Sequence, residues 1–415
     1  MPTNSGDFCC RFCDAVLTES MVDLGLSPLC EDFIRPEELR APERYFPLEV
    51  FVCTRCWLAQ VEQYSDNKDI FDEDYGYFSS YSDTWMQHVR EYVDMATERF
   101  SLGADSFVVE VASNDGYLLR NFVERGVPCL GIDPAENVAS AARRVGVETK
   151  VAFFTEELSR ELVSAGPKAD LLIGNNVLAH TPFLKDFVAG VALLVADDGR
   201  ATFEFPHLQR LMEGVQFDTI YHEHFSYFSL YTVREIFRSV GMVVVDVEQM
   251  RTHGGSLRVF IEHAGAGTSP SAAVARVLDE EASAGLRSVE RYRAFGAQAA
   301  HVKNELLKLL IELRQDGKSV AGYGAPGKGN TLLNYCGIKP DLLAYTCDRS
   351  VHKHGRFTPG SRIPIFPPER IDELRPDYIL ILPWNLRDEI MTQLDHVRAW
   401  GAKFIVPVPV ATVLD

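Results

Sequence analysis

Phe107-Val108-Val109-Glu110-Val111-Ala112-Ser113-Asn114-Asp115-Gly116 is the stretch that decides the fold. Its first six residues are a short apolar run interrupted by one acid, the composition of a strand buried on both faces of a sheet. The turn after it ends in glycine and leads into an amphipathic helix through Leu118, Leu119, Phe122 and Val123, then into a second run, Cys129-Leu130-Gly131-Ile132, closed by Asp133. Strand, helix and strand in this order form a βαβ unit. On the N-terminal side, apolar and aromatic positions recur at helical spacing from Thr84 to Phe100, so a new domain is expected to begin there. On the C-terminal side, a third run, Asp170-Leu171-Leu172-Ile173, ends in Gly174-Asn175-Asn176, and a fourth strand is expected near Ala201–Phe205.

The second half repeats the pattern. After a helical stretch from about residue 271 to 314, Ser319-Val320-Ala321-Gly322-Tyr323 runs into Gly324-Ala325-Pro326-Gly327-Lys328-Gly329-Asn330 and a helix through Leu332 and Leu333. The run Leu342-Leu343-Ala344-Tyr345-Thr346 reads as the next strand and stops just before Asp348, and Asp377–Leu382 reads as another. Asp133 lies 25 residues beyond Val108, and Asp348 lies 28 beyond Val320. Two open α/β domains of like topology in tandem are expected, with a pseudo-twofold relation conceivable between them.

The 415 residues are 46% hydrophobic and 24% charged, the balance of a globular chain too long for one core. With 41 Lys+Arg against 59 Asp+Glu and a net charge of -18, no basic surface for nucleic-acid phosphates is expected. No run is apolar enough to span a membrane, and the N-terminus lacks the pattern of a signal peptide, so a cytoplasmic protein with no membrane partner is expected. In that reducing setting the nine cysteines read as ligands, core residues or nucleophiles. Cys10-Arg11-Phe12-Cys13 and Cys53-Thr54-Arg55-Cys56, with 39 residues between them, have the spacing of a closed, structural zinc site. Cys9 and Cys30 are expected to be non-ligands. Residues 63–85, rich in Tyr, Phe, Asp and Ser, read as a loop that packs between domains or, through Tyr75, walls an active site.

In an open α/β sheet, ligands sit beyond the carboxyl ends of the strands, and an acid ending the second strand commonly grips ribose hydroxyls. Glu110 to Gly116 and Asp133 fit this, but Ala112 and Asn114 stand where a dinucleotide fingerprint needs glycine, so an adenosyl ligand without phosphates is expected. The Gly322–Asn330 turn, with four glycines and Lys328 ahead of a helix, suits phosphate oxygens, and Arg349, Lys353 and Arg356 follow the next strand, either to neutralise a diphosphate or as a solvated basic loop. Tyr221-His222-Glu223-His224 lies in an aromatic loop, where acid/base work, a packed or surface role, and metal binding all remain readings. His180, after the third strand, is expected to face the same crevice.

The cysteine quartet, Glu110–Gly116, Asn175–His180, Tyr221–His224, His253-Gly254-Gly255-Ser256-Leu257-Arg258 and Gly322–Lys328 together resemble, in order and over nearly the whole chain, the sugar C-methyltransferase family. These enzymes use S-adenosylmethionine to methylate deoxysugar nucleotides for antibiotic glycosides. The resemblance implies a C-3'-methyltransferase acting on a TDP-linked 3-amino-4-keto sugar of tetronitrose type. It also implies a small N-terminal zinc-binding domain (1–85) followed by two tandem Rossmann-like α/β domains, one for the methyl donor (86–246) and one for the nucleotide sugar (247–415).

Glu110, Ala112, Asn114, Asp115, Gly116, Asp133, Asn175 and Asn176 are then the expected donor site, and Gly324, Gly327, Lys328, Arg349 and Lys353 the sugar-nucleotide site. Forming a C–C bond calls for proton removal beside the 4-keto group and a stabilised enolate. His224 is the first choice of base, Tyr221 the donor to the C4 oxygen, Glu223 and His180 the orienting or relaying groups, and Tyr75 a wall. Methyl transfer to a sugar oxygen or amine, or a non-enzymatic zinc module, are the competing readings. A cleft built within one chain needs no partner subunit, so a monomer is expected.

Overall fold

The computed structural model describes residues 8–64, 79–81 and 83–415, without the side chains of Tyr81 and Asp83. The expectation for Tyr75 and for most of the 63–85 loop lies outside the described residues.

The middle sheet starts from Val108–Val111, all four residues buried. Cys129–Asp133 and then Thr149–Val151 extend it on one side, and Ala169–Asn175 and then Val195–Pro206 on the other, all parallel. Ser256–His263 and Met242–Met250 add two antiparallel strands beyond. The C-terminal sheet is built alike. Val320–Tyr323 is flanked by Thr346–Cys347 and Ile365–Phe366 on one side and by Tyr378–Ile381 and Lys403–Val406 on the other, with Thr412–Leu414 as an antiparallel edge. In both sheets the first strand is central and the strand order reverses beside it. That places a ligand-binding crevice at the carboxyl end of each first strand.

Three expectations change in detail. The strand expected at 342–346 is reduced to Thr346–Cys347, because the N–H groups of Leu342 and Leu343 both donate to the Lys339 carbonyl in a turn that follows the preceding helix. The helical stretch 271–314 is two helices, Ala272–Ser283 and Val289–Gln315, separated at Gly285, whose φ of +79° no helix accommodates. The middle sheet also continues past residue 246 to His263, so the boundary expected at 246/247 falls within the strand Met242–Met250.

The N-terminal unit is an antiparallel sheet, Glu19–Ser27, Phe46–Val52 and Ala59–Val61, completed by Ser226–Tyr227 from the aromatic loop of the middle unit. Helix Val289–Gln315 lies against Glu19–Ser27 through the buried stripe Tyr292, Phe295, Ala299, Val302, Leu306 and Leu310. The N-terminal sheet shares this core with Leu332, Leu333 and Leu380 of the C-terminal unit, while Cys10, Cys53 and Leu58 pack into the core of the middle unit. The three units are therefore joined by common apolar cores. Among the described residues, no helix is long and apolar enough to cross a membrane.

Candidate active site

The two CxxC turns fold identically. Cys10 N–H donates to Ala15 O and Asp14 N–H to Cys10 O; Cys53 N–H donates to Leu58 O and Trp57 N–H to Cys53 O. Each turn passes through one residue of positive φ, Asp14 at 59° and Trp57 at 64°. The turns bring all four Sγ atoms within 4.8 Å of one another, with Cys10–Cys56 and Cys13–Cys53 at 3.5 Å. Zinc–sulfur bonds of about 2.3 Å in a tetrahedron give sulfur–sulfur edges of about 3.8 Å, so the quartet fits Zn2+ with no position left for substrate. Gln60 Nε2 donates to Cys10 Sγ at 3.2 Å, the kind of outer contact that orients a ligand. Cys9 and Cys30 stand outside the cluster, as expected.

A cleft of about 910 Å3 runs between the carboxyl ends of the middle and C-terminal sheets. On its middle side, the turn after Val108–Val111 is held in unusual backbone, with φ of 59° at Ala112 and 48° at Asn114. Both Asp133 carboxylate oxygens accept N–H groups, from Asn114 at 2.9 Å and Ala135 at 3.0 Å, and burial pushes the carboxyl up to about 6. Each oxygen keeps a lone pair for a ribose hydroxyl. Asn175 Nδ2 is buried without a hydrogen-bond partner among the described residues. Phe153, Phe154, Val177 and Phe187 supply apolar walls. Together these groups fit an adenosyl ligand.

Ala112, Asn114, Asp133, Asn175 and Asn176 line the cleft. Three expected donor residues serve it indirectly. Glu110 is fully buried beneath, its carboxyl raised by burial against the influence of the Tyr117 hydroxyl. The Asp115 carboxylate accepts the Ser80 N–H at 3.3 Å, and Gly116 brings its chain against Ala142 so closely that a Cβ would stand 3.2 Å from that residue's Cα. The Phe153–Phe154 wall escaped the sequence reading because two aromatics after a short strand carry no spacing signal.

The aromatic loop is held from two sides. Phe225 N–H donates to Ala179 O, while Phe225 O accepts from Val61 N–H and from Arg11 Nη1, both at 3.0 Å. The structure separates the two loop histidines. His222 turns to the N-terminal unit, donating from Nε2 to Pro47 O at 3.1 Å, so it does not pair with His224 around a metal. His224 faces the cleft, its ring tilted 31° to that of Tyr221 at 4.0 Å and edge-on to that of His180 at 4.8 Å between ring centroids. Its Nδ1 donates to Thr219 O at 2.9 Å, which leaves Nε2 as the lone-pair nitrogen. Burial holds His224 well below the ordinary imidazole value and His180 down at about 4, so both rings are neutral at neutral pH. Burial raises Tyr221 well above the usual phenol range, keeping its hydroxyl a donor. Glu223 is buried, accepts the Cys30 thiol at 3.5 Å, and is raised by burial and by nearby Glu31.

Gly324, Gly327, Lys328, Arg349 and Lys353 line the opposite wall. Lys328 Nζ donates to Asn385 Oδ1 at 2.8 Å and lies 4.9 Å from the centre of the Trp384 ring. Trp384 Nε1 donates to Asp218 at 2.6 Å, and burial pushes that carboxyl up to about 6 despite Lys328. Asp218 and Trp384 were not legible as a pair, being 166 residues apart. His253, quoted in the family likeness without a role, also lines the cleft; its Nε2 is 3.2 Å from Asn176 Nδ2 and its ring packs on Trp85 at 5.3 Å.

Residues 10–71 match the family described as "Putative zinc binding domain", 85–247 the one described as methyltransferase domain, and 251–409 the one described as C-methyltransferase C-terminal domain. Fold and site thus define an S-adenosylmethionine-dependent C-methyltransferase carrying a zinc-binding unit. The C-methyltransferase NovU of Streptomyces niveus is 39% identical over 406 residues, covering 98% of this chain and 96% of that protein, and the chain belongs to the C-methyltransferase family. Solved structures resemble it only distantly. The magnesium protoporphyrin IX methyltransferase of Synechocystis with bound SAM is 16% identical over 48% of this chain and 99% of its own, with a TM-score of 0.36. A S-adenosylmethionine-dependent methyltransferase from Clostridium acetobutylicum is 11% identical over 45% and 94%, with a TM-score of 0.35.

Proposed function

We propose that the enzyme methylates C3 of a TDP-linked 3-amino-4-keto deoxyhexose through an enolate, in antibiotic deoxysugar biosynthesis. The observation that carries this reading is His224: Nδ1 is committed to the Thr219 carbonyl, and Nε2 is a neutral acceptor in the cleft between the two sheets. Nε2 removes the C3 proton, and the Tyr221 hydroxyl, protonated and in ring contact with His224, donates to the C4 oxygen as negative charge develops there. His180 and Glu223 hold and relay the proton behind that pair. Asp133, Asn175 and the Phe153–Phe154 wall fix the donor from the middle sheet, and the Gly324–Lys328 turn fixes the sugar from the other. S-adenosylmethionine held there would supply the electrophilic methyl group that the C3 carbon takes up, leaving as S-adenosylhomocysteine.

The test is product analysis by carbon–proton NMR after incubation with labelled donor and the TDP-3-amino-4-keto sugar. A quaternary C3 bearing the labelled methyl is expected. Label on oxygen or nitrogen would overturn the enolate reading in favour of a simpler methyl transfer.

A further inference from the structure

The Gly-rich turn has the form of an anion cradle, yet its central position is taken by the protein itself. The segment after the first strand of the zinc unit lies across it. Asn330 Nδ2 donates to Cys30 O at 2.6 Å, Ile34 and Phe357 exchange backbone hydrogen bonds at 3.0 and 2.8 Å, and the Phe33 ring centre is 4.6 Å from Lys353 Nζ. This docking sets the Glu31 carboxylate on the first turn of helix Gly327–Cys336. Its Oε1 is 3.1 Å from where a Cβ on Gly327 would stand, and its Oε2 is 3.5 Å from Lys353 Nζ. Burial raises the carboxyl, while Lys353 and the Gly327 N–H favour its ionised form.

A helix N-terminus and a lysine are the two groups a phosphate would use at this point. Lys353 also donates to Ala325 O at 2.8 Å, and Lys328 Nζ donates to Asn385 Oδ1, so one N–H of each nearby ammonium group is already committed. The Glu31 side chain keeps 33% of its surface exposed and lines the cleft.

We propose that Glu31, supplied by the zinc unit, is a specificity-determining residue: it fills the anion position of the Gly-rich turn, excludes phosphate from it, and offers its cleft-facing lone pairs to hydroxyl or amino groups of the sugar ring. This rests on the nucleotide-sugar reading above. The unit that carries zinc is then part of the substrate site as well as a structural support, and the diphosphate lies away from Gly327.

The experiment uses the zinc-loaded full chain as wild type, Glu31→Gln and Glu31→Asp, with zinc content and donor affinity measured alongside. Inorganic pyrophosphate, titrated calorimetrically, is expected to bind Glu31→Gln about tenfold or more tighter than wild type, since the carboxylate charge that repels it and pairs with Lys353 is lost. The KM for the nucleotide sugar is expected to rise about tenfold in both variants while donor affinity stays put. Unchanged pyrophosphate affinity in a zinc-loaded Glu31→Gln chain overturns the proposal. Should that variant fail to fold, Glu31→Asp keeps the charge and withdraws it by one methylene, and an unchanged KM there overturns it equally. A wild-type chain inactive on every nucleotide sugar would count against the proposed function, whereas the pyrophosphate titration would still decide the role of Glu31.

Discussion

Replacing His224 by asparagine separates the two things its ring does. The asparagine amide keeps an N–H donor near the position of Nδ1, able to reach the Thr219 carbonyl that His224 now holds at 2.9 Å, and it deletes the Nε2 lone pair. The loop, gripped through Phe225 by both the N-terminal and middle units, should stay in place. Loss of a positioned base costs about 10² to 10⁴ in rate, which corresponds to about 3 to 5 kcal/mol of transition-state stabilisation. The assay follows two signals on one substrate: C3 proton exchange in D2O with the demethylated donor product bound, and methyl transfer with the donor itself. His224→Asn should lose both by that factor while binding TDP as wild type does. The pH profile gives a second reading. A base acts unprotonated, and burial holds His224 well below its ordinary value, so the acid limb of kcat should fall below the unperturbed imidazole pKa of about 6.5. Exchange retained within about threefold of wild type, far short of the loss a missing base causes, would refute the assignment, and loss of exchange in His180→Ala alone would move the base to that ring.

Three further outcomes are expected. One zinc per chain should be found by metal analysis, and Cys10→Ser should lose metal and melt earlier; because Ala59–Val61 pairs with Ser226–Tyr227, methyl transfer should fall with it, and a metal-free chain with full activity would contradict this. Asp133→Ala should weaken donor binding by about tenfold or more through lost hydrogen bonds to ribose, with TDP affinity unchanged by calorimetry; equal losses for both ligands would show that the two sites are not divided between the sheets. Acid should destabilise the site: burial lowers His180 and His253 to about 4, so their neutral forms stabilise the fold fully above about pH 6.5 and that contribution is lost as pH falls toward the folded values. Urea unfolding should show up to about 2 kcal/mol lost per ring between about pH 7 and pH 5, and a His180→Gln chain with the wild-type pH dependence would rule out its share.

The strands were legible wherever a continuous apolar run met a turn, as at Val108–Val111 and Tyr378–Ile381, because a strand covered on both faces leaves a local signature. The repeated run-to-acid spacing likewise foretold two α/β sheets of like topology, while the central place of their first strands came from the structure. Thr346–Cys347 was overestimated for the same reason in reverse: Leu342 and Leu343 are apolar, but their N–H groups are spent on a turn.

Sequence alone singled out the cysteine quartet, the Glu110–Gly116 turn with Asp133, and the loop holding Tyr221 and His224, since each is written in neighbouring residues or in paired motifs of recognisable spacing. Only the tertiary structure decided which loop histidine meets the cleft, because that depends on Pro47 and Thr219 offering carbonyls on opposite sides. It alone set Trp384 against Asp218 and carried Glu31 to Gly327, almost 300 residues away. Such contacts arise when separately folded sheets bury shared apolar surface, and no periodicity along the chain encodes which polar groups that burial will bring together.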